Sequence, residues 1–304
     1  MVTIAIPAWK TGFLRQTIQS ALSQDYSDLT VLVVDDCSPH DIQSVVEEFA
    51  DPRLHYVRNE QNLGNGDPAG NWNRCLDLCQ TEFFCLLCDD DMYAPQFVST
   101  MMELAHKNPQ CNVFRARLNI IDENGETRGS FPSSPSYETG QEYLEAVFRD
   151  GRRQTISEFM LRTSAVRQAG GYSRIPLAWG SDYSSIIRFA MKGGICSSQQ
   201  LLVSYRDSTV NISNDDSNTD QKLLALQDYY NEIESLIRQM EQHSGQEWGR
   251  AIRASVQEYR KHSIAAHLFE ADWAAFFRCL KARKKNGTTV WEWCKVALRK
   301  LVNS

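Results

Sequence analysis

Residues 29–36 read L-T-V-L-V-V-D-D, a short apolar run that ends in two acids. A continuous run rich in β-branched residues is typical of a parallel strand that is buried on both faces. Similar strands are predicted at 2–6, 54–57 and 82–87, each followed by apolar residues at helical spacing. Strands and helices that alternate in this way predict an α/β fold with a doubly wound, mostly parallel sheet flanked by helices.

The alternation weakens from about residue 110. Further strands are expected at 112–121, 156–162 and 195–205, with a helix at 182–192. From 220 to about 285 the pattern is helical, with one Ser-Gly-Gln break. We therefore expect an α/β domain at 1–215 and a helical C-terminal extension at 216–304.

The chain of 304 residues has a net charge of −6, and this charge is unevenly distributed. Residues 278–304 hold eight Lys or Arg and one acid, Glu292, so they carry +7 and the remaining residues carry −13. Such asymmetry indicates a nucleic acid or a membrane surface as partner. No nucleic-acid-binding module accompanies the charge, so no nucleic acid is expected.

The basic tail also carries an apolar stripe at helical spacing over 290–301, with tryptophan and leucine on it. A basic amphipathic helix of this kind suits an anionic bilayer surface. A helix packed on the body of the protein is an equally good interpretation, and the two stay open here. No apolar run is long enough to span a bilayer, and nine cysteines without framework spacing favour reduced thiols in a cytoplasmic protein.

Two of the predicted strands end in acids, Asp35-Asp36 and Asp89-Asp90-Asp91. Ligands of doubly wound sheets bind at the carboxyl ends of the strands. Three adjacent carboxylates repel one another, and a divalent cation with oxygen ligands relieves that repulsion. The cluster therefore predicts Mn²⁺ or Mg²⁺ together with a nucleotide diphosphate, whereas Asp35 alone is equally explained as a turn or cap residue.

The ordered motifs resemble those of family 2 glycosyltransferases, which have the GT-A fold. They are T-I-A-I-P-A-W-K at 3–10, N-L-G at 62–64, N-W-N-R-C-L at 71–76, C-L-L-C-D-D-D-M-Y at 85–93, G-G-Y at 170–172, W-G-S-D-Y at 179–183, Y-R at 205–206 and N-I-S at 211–213. The resemblance covers roughly residues 1–215. It implies a nucleotide-binding half at 1–110 and an acceptor-binding half at 111–215.

On the donor side, the resemblance implies that Pro7, Ala8 and Asp36 hold the base of the nucleotide, usually uracil. In the metal and sugar-phosphate motif, Cys88 stands where the family often has its first acid. The acids that follow bind the sugar phosphate and the metal, with Asp90 the first candidate for direct ligand and Asp89 and Asp91 beside it. From their positions alone, Asn62 and Arg74 are weaker candidates for the nucleotide, since ordering of the 59–70 loop and simple solvation explain them equally well.

On the acceptor side, the acid of the W-G-S-D motif is the general base in the family, which here is Asp182. Its alternative role is a helix N-cap. Trp179 and Gly180 next to it, and Tyr172 upstream, are the acceptor-binding candidates. Proton removal from an acceptor hydroxyl by a carboxylate, with in-line displacement of the diphosphate, inverts the anomeric centre.

The sequence thus favours an inverting glycosyltransferase that uses a nucleotide-sugar, a UDP-sugar in particular, and a glycan or lipid-linked saccharide acceptor in surface-polysaccharide assembly. It is expected in the cytoplasm, at the inner face of the membrane if the tail binds there. A sugar-phosphate nucleotidyltransferase is one alternative, but the loop P-A-W-K-T-G-F at 7–13 lacks the Gly-rich, basic character that such enzymes need. A catalytically inactive carbohydrate-binding relative is the other, against which Asp36, Asp90 and Asp182 argue.

Overall fold

A computed structural model describes residues 1–208 and 219–270, with the backbone alone at 219–220 and 265–270. The basic tail at 278–304, the N-I-S motif at 211–213 and the expected boundary at 215 lie outside the described residues.

Ten described strands form one sheet. They are β1 (Val2–Ala8), β2 (Leu29–Asp35), β3 (Leu54–Arg58), β4 (Phe83–Leu86), β5 (Met92–Tyr93), β6 (Val113–Ile121), β7 (Thr127–Ser130), β8 (Tyr137–Glu138), β9 (Phe159–Arg162) and β10 (Ile195–Arg206). The main path runs β3-β2-β1-β4-β9-β6-β10-β5, with β7 paired to β6 and β8 to β10.

The described helices flank the sheet and then extend beyond it. They are α1 (Leu14–Leu22), α2 (Ile42–Val46), α3 (Ala69–Leu78), α4 (Phe97–Lys107), α5 (Gly140–Asp150), α6 (Thr163–Gln168), α7 (Ser181–Ala190), α8 (Thr219–Ser244) and α9 (Gln246–Glu270). Short 3₁₀ turns occupy Ile156–Glu158 and Pro176–Ala178.

The α/β fold with a sheet flanked by helices is confirmed, and its first half is the parallel unit that the strand patterns predict. Strand β1 pairs in parallel with both β2 and β4, and β2 with β3. The second half is mixed, because β9 runs antiparallel between β4 and β6 and the short strands β5, β7 and β8 also pair antiparallel. Strands of two to four residues are too short to show a period in the sequence.

Apolar residues alternate along the central strands and form one core on each face of the sheet. Ala5 and Leu86 face one core, whereas Ile4 and Ile6 face the other. Because β1 pairs in parallel with both β2 and β4, the carboxyl ends of these three strands lie at one edge of the sheet. The strand-end acids therefore meet at that edge.

Helices α8 and α9 form a hairpin at Gly245, whose φ of +86° suits the break expected there. Apolar residues of α8, such as Leu226 and Ile233, belong to the same core as the sheet residues Val34 and Phe84. Helix α8 packs on α7 and on the 3₁₀ turn before it, and α9 packs on α5. The extension is therefore part of the main core, and no described helix is long and apolar enough to cross a membrane.

Two helix starts differ from their sequence signals. Helix α2 begins at Ile42 with Asp41 as its N-cap, which accepts from the Ser44 amide at 3.1 Å. Ser38 of the S-P-H-D stretch at 38–41, a pattern typical of a helix N-cap, instead donates to the Trp9 carbonyl at 2.6 Å and so connects two loops. Helix α5 was not expected, although the capping box formed by Thr139 and Glu142 marks its start.

Candidate functional site

A cavity of about 840 Å³ opens at the carboxyl ends of β1, β2 and β4. This volume is in the range of sites that enclose small-molecule ligands. One part of the lining holds the acids after β4, Pro7 near the end of β1, and Trp9 and Lys10 after that strand. We call it the donor wall, after the donor-binding role that the resemblance implies for these acids. A second part of the lining comprises residues 177–180, 182 and 183 and the tyrosines of α8 and α9. We call it the acceptor wall, after the role that the resemblance implies for the W-G-S-D motif.

Asp36 anchors the loop that borders the donor wall. Its carboxylate accepts from the Leu63 amide at 2.8 Å, the Gly64 amide at 2.7 Å and the Asn59 side chain at 2.8 Å. A Cβ on Gly64 would lie 2.8 Å from this carboxylate, which explains the glycine of the N-L-G motif. Asp35 is fully buried and is held by Tyr56 and Arg58, as a structural acid would be.

The three acids after β4 have different partners. Oδ2 of Asp89 accepts from the amides of Trp9 at 2.8 Å and Lys10 at 2.7 Å. Asp91 accepts from the Ser157 hydroxyl at 2.5 Å and the Arg206 amide at 2.9 Å. The only partner of the Asp90 carboxylate among the described residues is Nζ of Lys10, at 3.5 Å. Among the three acids, Asp90 therefore has the most carboxylate lone pairs without a protein donor, and it lines the cavity.

Burial makes it costly to keep all three acids of this cluster ionised. Desolvation, followed by the charge of Asp90, raises the pKa of Asp89 to about 6, and the same causes raise the pKa of Asp91 well above its usual range. The described residues contain no group of three His, Cys, Asp or Glu side chains arranged as a metal cage. Mg²⁺-type sites commonly use one or two carboxylates plus substrate phosphates, and the open carboxylate of Asp90 fits such a site.

Asp182 lies in the first turn of α7 and lines the same cavity as the acid cluster. Oδ2 accepts from Nε2 of Gln154 at 3.2 Å. Burial raises the pKa of Asp182 to about 6. The N-cap of α7 is Gly180, without a side-chain cap, so the cap role considered for Asp182 does not apply.

Gly180 allows α8 to approach this loop closely. Its φ is +87°, and a Cβ at this position would lie 2.5 Å from Cδ2 of Tyr229. Neighbouring Trp179 lines the cavity with its ring 4.9 Å from Nζ of Lys222. The W-G-S-D loop is therefore shaped by a residue that lies 49 positions further along the chain.

The family model for glycosyl transferase family 2 matches residues 3–166, more than half of the chain. The chain belongs to this family. The match confirms the resemblance and, at the level of the family, the glycosyltransferase class that it implied.

Among curated relatives, the chain is 34% identical over 110 residues to the putative colanic acid biosynthesis glycosyl transferase WcaA of Escherichia coli. It is 36% identical over 109 residues to the GalNAc(5)-diNAcBac-PP-undecaprenol beta-1,3-glucosyltransferase of Campylobacter jejuni. The matched regions are 35% of this chain and 38% and 35% of those proteins, so the chain spans little more than a third of either relative.

Among solved structures, S. aureus TarS 1-349 in complex with UDP-GlcNAc superposes with a TM-score of 0.58 at 13% identity, over 90% of this family 2 chain and 82% of TarS 1-349. The mannosyltransferase PcManGT from Pyrobaculum calidifontis, in complex with GDP-Man and Mn²⁺, gives 0.58 at 13% identity, over 100% and 87% of the chains. At this identity the likeness shows a shared fold, and it confirms the GT-A architecture.

Within this family 2 fold, most of the candidates named from the sequence meet at one cavity. Those that line it are Pro7, Asp36, Asn62, Asp89, Asp90, Asp91, Trp179, Gly180 and Asp182.

Three candidates lie elsewhere, since the cavity lining formed by the described residues does not include Ala8, Arg74 or Tyr172. Ala8 is fully buried, on the sheet face opposite to that of Pro7. Arg74 is half-buried on α3, whereas Asn71 and Trp72 of the same helix face the cavity. Tyr172 is 2% exposed and packs edge-to-face against Trp72 at 5.7 Å, as a core residue. None of these three side chains therefore lines the cavity.

Other lining residues were missed from the sequence. Lys10 lies inside the first motif, yet only its distance to Asp90 marks it as part of the site. Gln154 lies in the loop before a short strand, where no periodic pattern of apolar residues marks its position. Tyr229, Tyr230 and Tyr259 belong to helices that were predicted as an extension, and only the packing of α8 and α9 brings them to the cavity.

Proposed function

We propose that this protein transfers a sugar from a nucleotide-sugar, a UDP-sugar in particular, to a hydroxyl of a glycan or lipid-linked saccharide in polysaccharide biosynthesis. The observation that carries the proposal is one cavity with clustered acids on one wall and a single basic carboxylate, Asp182, on the other. The names of the two curated relatives support a saccharide acceptor, and the UDP-GlcNAc complex of TarS supports the donor class.

On the donor wall, Asp90 would hold Mn²⁺ or Mg²⁺, with Asp89 and Asp91 beside it, and the cation supplies positive charge against the leaving diphosphate. Lys10 adds a second positive charge at the same place, since its ammonium group already faces Asp90. Pro7, Asp36 and Asn62 border the cavity further along this wall, where they would bind the nucleoside.

On the acceptor wall, Asp182 accepts the proton of the attacking hydroxyl. Its raised pKa makes it a stronger base than an exposed carboxylate, while it is still mostly ionised near neutral pH. Attack from this wall, opposite the leaving diphosphate, inverts the anomeric centre.

The test of this function is Asp182→Asn. Transfer should fall by about 10²–10⁴-fold, the usual contribution of a general base. UDP binding in the presence of Mn²⁺ should be unchanged, because Asp182 is on the other wall. In the wild type, kcat/KM should fall as the pH drops through about 6, since the base is then protonated. Wild-type turnover by Asp182→Asn would refute the proposal, and NMR of the product reports whether the anomeric centre inverts.

For the basic tail at 278–304, we propose contact with the anionic inner face of the cytoplasmic membrane. Its charge of +7 and its apolar stripe support this. Deletion of 287–304 removes the apolar stripe and three of the eight basic residues, so it should weaken co-sedimentation with phosphatidylserine-containing vesicles. Salt should weaken binding of the full chain. Equal sedimentation of the full and shortened chains would contradict membrane contact through the tail.

A further inference from the structure

Residues 153–158, which we call the bridging segment, lie between α5 and β9 and contact both walls of the cavity. One end contacts the base candidate Asp182, and the other end contacts Asp91 of the acid cluster. No family motif described above includes these residues.

At the first end, the amide of Gln154 is held in one orientation. The hydroxyl of Tyr143 donates to Oε1 of Gln154, so the Nε2 group must face Asp182, to which it donates at 3.2 Å. The backbone amide of Gln154 donates to the Tyr183 hydroxyl at 3.2 Å. Gln154 is 6% exposed and Tyr143 is fully buried, so water has little access to these bonds.

At the second end, Ser157 contacts Asp91 of the acid cluster and two residues that flank the cluster in sequence. Its hydroxyl donates to Oδ2 of Asp91 at 2.5 Å and accepts from the Cys88 amide at 3.1 Å. Its carbonyl accepts from the Tyr93 hydroxyl at 2.9 Å. Ser157 is fully buried.

Arg115 of β6 fastens the segment to the sheet. It donates to the Arg153 carbonyl at 2.8 Å and pairs with Glu158 at 2.9 Å, so it holds both ends of the segment. Arg115 and Glu158 are both almost completely buried, and a buried ion pair with good geometry resists rearrangement.

We propose that the bridging segment positions the two halves of the site relative to each other, with Gln154 orienting Asp182 and Ser157 orienting Asp91. This inference rests on the proposed function, which makes Asp182 the base and the acid cluster the metal side. Neither Gln154 nor Ser157 is assigned a chemical step, so both are positioning residues. Precise spacing matters because a displacement of about 1 Å can cost about 10²-fold in rate.

The hydrogen bond from Gln154 also affects the proton affinity of Asp182. Donation to a carboxylate favours its ionised form, so this bond lowers the pKa of Asp182 against the opposing effect of burial. The other titratable groups that face Asp182 are Glu158 of the 3₁₀ turn, Tyr183 of α7, Tyr229 of α8 and Tyr259 of α9. Loss of the Gln154 donor should therefore raise the pKa of Asp182.

The experiment measures this pKa directly on the full chain. Carboxyl ¹³C shifts of aspartate-labelled protein are followed between pH 4 and 8, with the Asp182 signal assigned from Asp182→Asn. Gln154→Met keeps the length of the side chain but removes the amide, and it should shift the Asp182 midpoint to higher pH. Tyr143→Phe should shift it less in the same direction, because the amide of Gln154 is then free to turn.

Ser157→Ala is the matched control at the other end of the segment. It should leave the Asp182 midpoint unchanged and weaken Mn²⁺-dependent UDP binding by about tenfold, as expected when a partner of a ligating carboxylate is removed. Gln154→Met should leave that binding unchanged. Calorimetry with UDP and Mn²⁺ measures both, and thermal unfolding confirms that each variant is folded.

An unshifted Asp182 midpoint in Gln154→Met would overturn the inference. So would equal effects of Gln154→Met and Ser157→Ala on both readouts, since the segment would then be only a packing element. Neither result affects the test of function, which depends on transfer by Asp182→Asn.

Discussion

The donor wall and the acceptor wall of the cavity are built in different ways. The donor wall comes largely from residues that directly follow the parallel strands β1, β2 and β4, so short motifs contain most of its side chains. The acceptor wall combines the turn at 177–180, the start of α7 and tyrosines from α8 and α9. Lining residues at strand ends can be predicted from short sequence patterns. Lining residues from distant helices cannot, because only tertiary packing brings them to the cavity.

The two walls also differ in charge. The donor wall holds three adjacent buried acids and Lys10, which suits a cation and a diphosphate. The acceptor wall has one carboxylate, Asp182, among aromatic rings such as Tyr229 and Tyr259. Aromatic rings with polar edges suit a neutral, hydroxyl-bearing ligand. The comparison therefore predicts that donor-wall and acceptor-wall variants fail in separable ways.

The largest effect should come from Asp90→Asn on the donor wall. Loss of the open carboxylate should lower transfer by about 10³-fold or more, because charge on the leaving diphosphate is then poorly stabilised. Calorimetry should show that UDP binding no longer responds to Mn²⁺. The control is Asp77→Asn, at an exposed position of α3. Full activity of Asp90→Asn in excess chelator would show that the donor wall does not work through a cation held by Asp90.

A smaller effect is expected from Gly180→Ala on the acceptor wall. The new Cβ would meet the ring of Tyr229, and overpacking of this kind typically costs about 1–3 kcal/mol in the free energy of unfolding. Gly125→Ala is the matched control, since Gly125 has a similar φ of +85° but open space around it. Gly125→Ala should lower the free energy of unfolding by only about 1–2 kcal/mol, the cost of placing a side chain in the left-handed backbone conformation. Equal denaturation midpoints for the two variants would mean that Tyr229 does not restrict the loop.

The smallest effect should come from Tyr259→Ala. Removal of the ring from the acceptor wall should raise the KM for the acceptor by about two- to tenfold, since one aromatic contact contributes about 0.5–1.5 kcal/mol. The affinity for UDP should stay the same, and Tyr259→Phe should keep most of the wild-type behaviour. If UDP binding weakens as much as acceptor binding, the division into two walls is wrong.

Sequence patterns and structure agree best where neighbours along the chain decide the structure. The runs that became β1 to β4, the acids at their ends and the helix break at Gly245 all follow from local composition. They agree least where a residue belongs to a family motif but its side chain packs in the core. Tyr172 sits in the G-G-Y motif, yet its ring packs in the core against Trp72 and Phe189.

The sequence by itself therefore determined the α/β class, the parallel first half of the sheet and the acids that meet at its edge. These follow from periodicity and from the rule that parallel strands end at one edge. The tertiary structure alone decided which side chains complete the cavity, such as Lys10 beside Asp90, Gln154 beside Asp182 and Tyr229 against Gly180. Each of these contacts joins residues at least 28 positions apart, so no local pattern encodes it and only the packing of the sheet against α7, α8 and α9 creates it.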